Sequence, residues 1–221
     1  EKFSHSPWSF RHTVLGVIGI FIYVGVEIGI PGTLNFYLAD ASEKGAGLLT
    51  NGAAIGGAIA AIYWLLMLVG RSISSAISGK VSSRTQLIVV SATAILFILI
   101  AIFTPKTVTI SMPGYSVTDG FNMSQVPLSA MFLVLCGLCT SVMWGGIFNL
   151  AVEGLGKYTA QASGIFMMMV VGGGILPLVQ QFISDSVGYM ASYWLMIAAL
   201  IYLLYYGLVG CKNVNKDIPV E

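Results

Sequence analysis

The stretch from Val14 to Leu38, VLGVIGIFIYVGVEIGIPGTLNFYL, decides how this chain folds. It holds a single charged side chain, Glu27. A helix needs ~20 apolar residues to cross a bilayer core, so the stretch predicts a membrane span. A carboxylate at that depth costs about 2.5–3.5 kcal/mol on insertion scales. Glu27 is therefore expected to face a cavity, a partner or a ligand rather than lipid. Tyr23, Pro31 and Asn35 follow its side of the helix at four-residue steps. Gly25, Gly29 and Gly32 lie on other faces.

The whole chain agrees with that segment. Its 221 residues are 57% hydrophobic and 9% charged, with mean hydropathy +0.88. Soluble domains carry roughly 25% charged residues, so too little polar surface exists to cover a water-soluble globule of this size. The net charge of +1, without a basic arm or patch, excludes a nucleic-acid partner. Both histidines, His5 and His12, precede the first apolar run, which leaves no histidine metal site within the spans. No metal or cofactor is expected. Cys136 and Cys139 form a CxxC in an apolar run with no second ligand pair, and Cys211 stands apart. These read as packing residues rather than a redox or metal motif. The chain begins Glu1-Lys2-Phe3 without an initiator Met or a signal-peptide pattern, and reads as a fragment or a processed piece.

Six segments meet the length test: about 13–39, 53–77, 86–103, 128–151, 162–184 and 190–210. The expected fold is all-α and integral to the membrane, one six-helix bundle over 1–221. An even number of spans puts both termini on one side. With the termini cytoplasmic, Lys2, Arg11, Arg71, Lys80, Arg84, Lys157, Lys212 and Lys216 are inside, and only Lys44 and Lys106 are outside. The positive-inside rule selects that orientation. The longest connection, 104–127, then lies outside the cell membrane and has the β-branched content for a short hairpin.

Three further segments bear on function. Residues 70–84 read as the first cytoplasmic connection, with Gly70 and Arg71 at a helix end and then Lys80 and Arg84 in a short basic turn, able to bind helix C-terminal carbonyls or acidic lipid. In the fourth span Thr140, Trp144 and Phe148 recur at four-residue spacing, Asn149 follows, and Gly145-Gly146 is expected to interrupt the helix. A Trp beside flexible backbone suits a sugar, whose apolar C–H face stacks on the ring while its hydroxyls need amide and carboxylate partners. The competing reading is a packing stripe. The fifth span holds Gly172-Gly173-Gly174 and Pro177, a pattern that permits close helix approach and a kink. It fits either a hinge or tight static packing. Gln180 and Gln181 are expected at interfacial water.

The block from Met143 to Thr159, MWGGIFNLAVEGLGKYT, continues into Ala162-Ser163-Gly164, Val171-Gly172-Gly173-Gly174-Ile175 and Asp185-Ser186-Val187-Gly188. It resembles the carboxyl-terminal half of the fucose:proton symporter family, within the major facilitator superfamily, which includes bacterial glucose/galactose transporters. Phe21 to Glu27 looks like that family's seventh helix. Gly70-Arg71, with Gly79 and Arg84, looks like the superfamily's loop after the eighth. The likeness covers about 11–210. Gly145-Gly146 departs from the Pro-Thr often found there, and the 104–127 loop is longer than in compact members.

The resemblance implies helices 7–12 of a transporter in the inner (cytoplasmic) membrane, paired with an amino-terminal six-helix half. It implies alternating access and symport of a monosaccharide of the fucose, glucose or galactose type, driven by the proton gradient. Glu27 and Asn35 are the expected hydroxyl partners and Trp144 the stacking platform, with Tyr23, Thr140 and Asn149 as secondary contacts. Arg71, Lys80, Arg84, Gly172, Gly173, Gly174 and Pro177 are the expected gating set. Membrane lipid is the other partner. The alternatives are an exporter or facilitator of another small molecule, and a self-contained six-span channel or receptor, for which no repeated filter is seen. An enzyme is not expected, because the spans hold no nucleophile–base pair.

Overall fold

The computed structural model describes residues 6–40, 52–77, 79–104, 109–116 and 120–212. Eight α-helices and one hairpin follow in order: α1 (Arg11–Ala39), α2 (Gly52–Ile77), α3 (Ser83–Phe103), β1 (Thr109–Ser116), β2 (Gly120–Pro127), α4 (Leu128–Thr140), α5 (Met143–Ala151), α6 (Thr159–Met168), α7 (Gly172–Val187) and α8 (Tyr189–Tyr205). A π-helical turn, Tyr206–Gly210, extends α8.

Among the described residues, five helical segments are long and apolar enough to cross a membrane: Arg11–Ala39, Ala54–Ile77, Ser83–Phe103, Leu128–Ala151 and Tyr189–Gly210. The expected fifth of six spans is divided. A 3-10 turn, Met169–Val171, separates α6 from α7. Pro177 lies inside α7, and its ring has no N–H for the carbonyl four residues earlier, in the glycine run. The pitch changes in the turn immediately before that run, which is itself α-helical.

α1 is the central element and packs against α2, α4, α5, α7 and α8. Small residues make those approaches possible. A Cβ on Gly25 would overlap Leu176 of α7, and one on Gly29 would sit 2.7 Å from the Gln180 side-chain oxygen. Such spacing is the usual way membrane helices gain contact when lipid is as apolar as their side chains. Buried tyrosines tie the bundle by donating to main-chain carbonyls, Tyr193 to Ile30 at 2.8 Å and Tyr202 to Leu15 at 2.7 Å. Gln180 is fully buried and its amide faces Ser192 at 3.4 Å. The expectation that it reaches interfacial water is thus corrected. Gln181 donates to Thr33 at 2.9 Å.

One end of the bundle gathers the start of α1, the end of α2, the start of α3, the end of α5 and the π turn after α8. His12 and Thr13 reach the carbonyls of Glu153 and Ala151, at 2.8 and 2.7 Å. Arg84 donates from Nε to Gly207 at 2.9 Å and from Nη2 to Leu208 at 2.8 Å. Carbonyls left over at helix C-termini are natural acceptors for such donors. The hairpin pairs Thr109 with Pro127 through Ser116 with Gly120, at the end where α3 finishes and α4 begins. Pro113 is tolerated because a two-stranded ribbon has only edge strands. Lys2, Lys44, Lys106 and Lys216 lie outside the described residues.

Candidate functional site

The fourth apolar segment is broken, though not at Gly145-Gly146. Both glycines are helical, and the amide of Gly146 donates to Val142 at 3.0 Å. The break falls one turn earlier, at Ser141-Val142, between α4 and α5. Side-chain hydroxyls account for it. Thr140 Oγ1 donates to the Gly137 carbonyl at 3.3 Å, and Ser141 Oγ to the Leu138 carbonyl at 2.6 Å. Hydroxyls that bond back three residues compete with the helix's own amides for those carbonyls.

Two main-chain carbonyls at the break then accept from other helices. The Tyr23 hydroxyl donates to the carbonyl of Thr140 at 3.2 Å. Arg71 Nε donates to that of Ser141 at 3.4 Å. Tyr63 of α2 shares a hydrogen bond with Thr140 Oγ1 at 3.0 Å. Arg71 Nη2 also lies 3.7 Å from Glu27 Oε1. Glu27 of α1, Arg71 of α2 and the α4–α5 break therefore form one polar cluster among apolar helices. Irregular backbone at membrane depth persists where it is buried in protein or lines a cavity, and here both conditions hold.

Residues 70–77 are not part of a loop. They continue α2 to Ile77, and the turn to α3 is confined to the few residues before Ser82, the N-cap. Gly70 explains why Arg71 reaches the cluster. A Cβ on Gly70 would come 2.8 Å from Ser141 Cβ and 3.1 Å from the Leu138 carbonyl, so the bare glycine lets α2 press on the break.

A cleft of about 400 Å³ opens beside the cluster, lined by Arg71, Ser74, Ser83, Gln86, Trp144 and Asn149 with their neighbours. Ligand sites span ~300–1,000 Å³. Trp144 is half-buried and stacks on Phe148, with ring centroids 6.3 Å apart and planes 20° apart. Phe148 is in turn held edge-on by Phe166 of α6 at 5.5 Å. Asn149 is exposed and directs its amide to Ser83 at 3.4 Å.

The residues expected to contact a ligand thus separate into two sets. Trp144 and Asn149 line the cleft. Tyr23 and Thr140 are buried behind it, 1% and 0% exposed, while Glu27 stands at its edge through Arg71. Asn35 is two turns beyond Glu27, ~12 Å along the axis, and lies over Gly56 of α2, where a Cβ would be 2.7 Å from its side-chain oxygen. The expected gating residues do not converge. Arg71 is in the cluster, Lys80 in the α2–α3 turn, and Arg84 at the π turn. Gly172, Gly173, Gly174 and Pro177 are together in α7. Tyr63, Ser74 and Gln86 had no signal in the sequence beyond their polarity. Cys136 and Cys139 are buried free thiols, and Cys136 donates weakly to Phe132 at 3.5 Å. Among the described residues no group of His, Cys, Asp and Glu could hold a metal ion.

Long apolar helices, a broken segment and a polar cluster within the bundle define a multi-pass membrane protein with an internal polar site. The glucose/galactose transporter of Brucella abortus (strain 9-941) is 34% identical over 214 residues, covering 96% of this chain and 46% of that protein. The L-fucose-proton symporter of Escherichia coli (strain K12) is 38% identical over 56 residues, covering 25% of this chain and 13% of that protein. The chain is related in sequence to these bacterial transporters, and it spans about half the length of the curated relatives it matches over nearly all of itself. No family model matches the chain. No solved structure matches it.

Proposed function

We propose that the chain is the carboxyl-terminal half of a major facilitator superfamily sugar transporter. It carries a monosaccharide across the cytoplasmic membrane by alternating access with an amino-terminal half, in symport with protons. It is not an enzyme and needs no resident cofactor. In this reading 159–187 makes the fifth of six crossings, with its 3-10 turn and Pro177 inside the membrane, and both termini are cytoplasmic. The observation that carries the proposal is the cleft beside the α4–α5 break. An aromatic platform, Trp144, stands with an amide, Asn149, and a guanidinium, Arg71, around a volume suited to a small polar ring. The likeness to transporters named for glucose, galactose and fucose supports the same substrate class.

In transporters built from paired bundles, substrate lies between the halves and discontinuous helices line it. α4 and α5 fit that role. Each hydroxyl left without a partner in such a site costs about 1–3 kcal/mol, which is how a polar cleft rejects the wrong sugar. Direct competition binding to the assembled transporter, with hexoses, deoxyhexoses and lipophilic cations, tests the reading. A hexose or deoxyhexose is expected to compete best. Preference for the lipophilic cations would contradict the proposal and favour an exporter.

A further inference from the structure

Arg71 holds three positions at once. Its Nε–H points to the Ser141 carbonyl at the helix break, 3.4 Å away. Its Nη2 faces Glu27 Oε1 at 3.7 Å. The side chain is 55% exposed and lines the cleft with Trp144 and Asn149. Glu27 is only 17% exposed and is not among the residues that line the cleft. The carboxylate therefore addresses the guanidinium, and the guanidinium addresses the cleft.

A guanidinium is a planar fork of five N–H donors. Two adjacent ring hydroxyls of a hexose present two oxygens to such a fork, as a carboxylate does, and the bidentate match gives direction as well as strength. A fork on a free side chain would lose that direction. Here Nε–H is directed at a main-chain carbonyl and Nη2 faces a carboxylate, both from outside α2. Among the described residues, the charged or titratable groups around Glu27 are Tyr23 on its own helix and Tyr63 and Arg71 on α2, while α4 offers the uncharged Thr140.

We infer that Arg71 is the specificity-determining contact of the cleft, reading a pair of vicinal hydroxyls on the sugar, and that Glu27 is its positioning residue rather than a direct sugar ligand. This rests on the transport reading above and assigns the selectivity within the same site. The test is equilibrium binding of a hexose and its complete set of monodeoxy analogues to the assembled transporter, wild type and variants, with thermal unfolding run alongside to verify folding. Arg71→Gln is expected to weaken the parent hexose about tenfold while leaving unchanged the affinity of the analogues that lack the recognised hydroxyls. Glu27→Gln is expected to give the same selectivity pattern in milder form, and Glu27→Asp to restore it. Equal weakening across all analogues in Arg71→Gln, or no weakening, overturns the assignment. If Arg71→Gln fails to fold, Arg71→Lys serves: it keeps the charge, loses the fork, and must flatten the selectivity or the assignment falls. Wild-type protein that binds no monosaccharide contradicts the transport reading itself, and the assignment with it.

Discussion

At the residue scale, the site is organised by what each side chain gives to the break between α4 and α5. Tyr23 supplies an O–H to the Thr140 carbonyl from a position 1% exposed. Tyr23→Phe removes that donor and strands a buried acceptor, so it should lower stability by about 1–3 kcal/mol, read as a fall in the unfolding midpoint of the purified transporter. Trp144 is half-buried against Phe148, so its ring is held in place before any ligand arrives. Trp144→Ala should weaken hexose binding about tenfold with little change in stability, measured by titration. Depth, helical spacing and residue chemistry mark Glu27, Tyr23, Trp144 and Asn149 in the sequence; of these the structure puts Trp144 and Asn149 at the cleft and buries Tyr23 behind it. Arg71 was expected at a helix end as a gating residue, not in the polar cluster. Its reach into the cluster depends on the contact of Gly70 with Ser141, a packing fact that no local pattern encodes. Asn35 shares Glu27's side by spacing, yet two turns of rise set it over Gly56 instead of the cleft.

At the element scale, α1 holds the bundle together and α7 is its closest partner where Gly25 meets Leu176. Gly25→Ala places a methyl where Leu176 already sits. Overpacking of this kind costs about 1–3 kcal/mol, and thermal unfolding of the purified protein should show it. Gly145→Ala is the matching control, since a Cβ there meets nothing within 4 Å. The 3-10 turn before α7 is a local change of helical pitch, a feature that often marks a hinge. Pro177→Ala would return an N–H to the carbonyl four residues earlier. If the segment bends during transport, this variant lowers the maximum uptake rate and leaves hexose affinity unchanged. Five of the six expected spans were legible from apolar length alone, and the hairpin from β-branched residues beside turn formers. The α4–α5 break was assigned to the wrong residues, because glycine pairs are the obvious helix weakeners. The cause lies instead in hydroxyls of Thr140 and Ser141 that bond back to their own helix.

At the scale of the whole molecule, the described basic residues collect at one end of the bundle. Arg84 ties the start of α3 to the carbonyls after α8 there, and Lys80 stands exposed in the turn beside it. Placing that end in the cytoplasm makes a direct prediction. Lys80→Cys in the assembled transporter should react with a membrane-impermeant thiol reagent in inside-out vesicles and not in intact cells. The same end holds the cleft, so under that placement the proposed sugar site would be approached from the cytoplasm. The three cysteines of this chain are buried, so with an amino-terminal half freed of cysteine an introduced thiol in the cleft can be followed without much background. Asn149→Cys in the assembled transporter provides one, and its alkylation rate, with and without hexose, bears most directly on the site. Glucose, galactose or fucose should slow the reaction several-fold at saturating concentration. An unchanged rate with every sugar that the protein transports would contradict the placement of the substrate in this cleft.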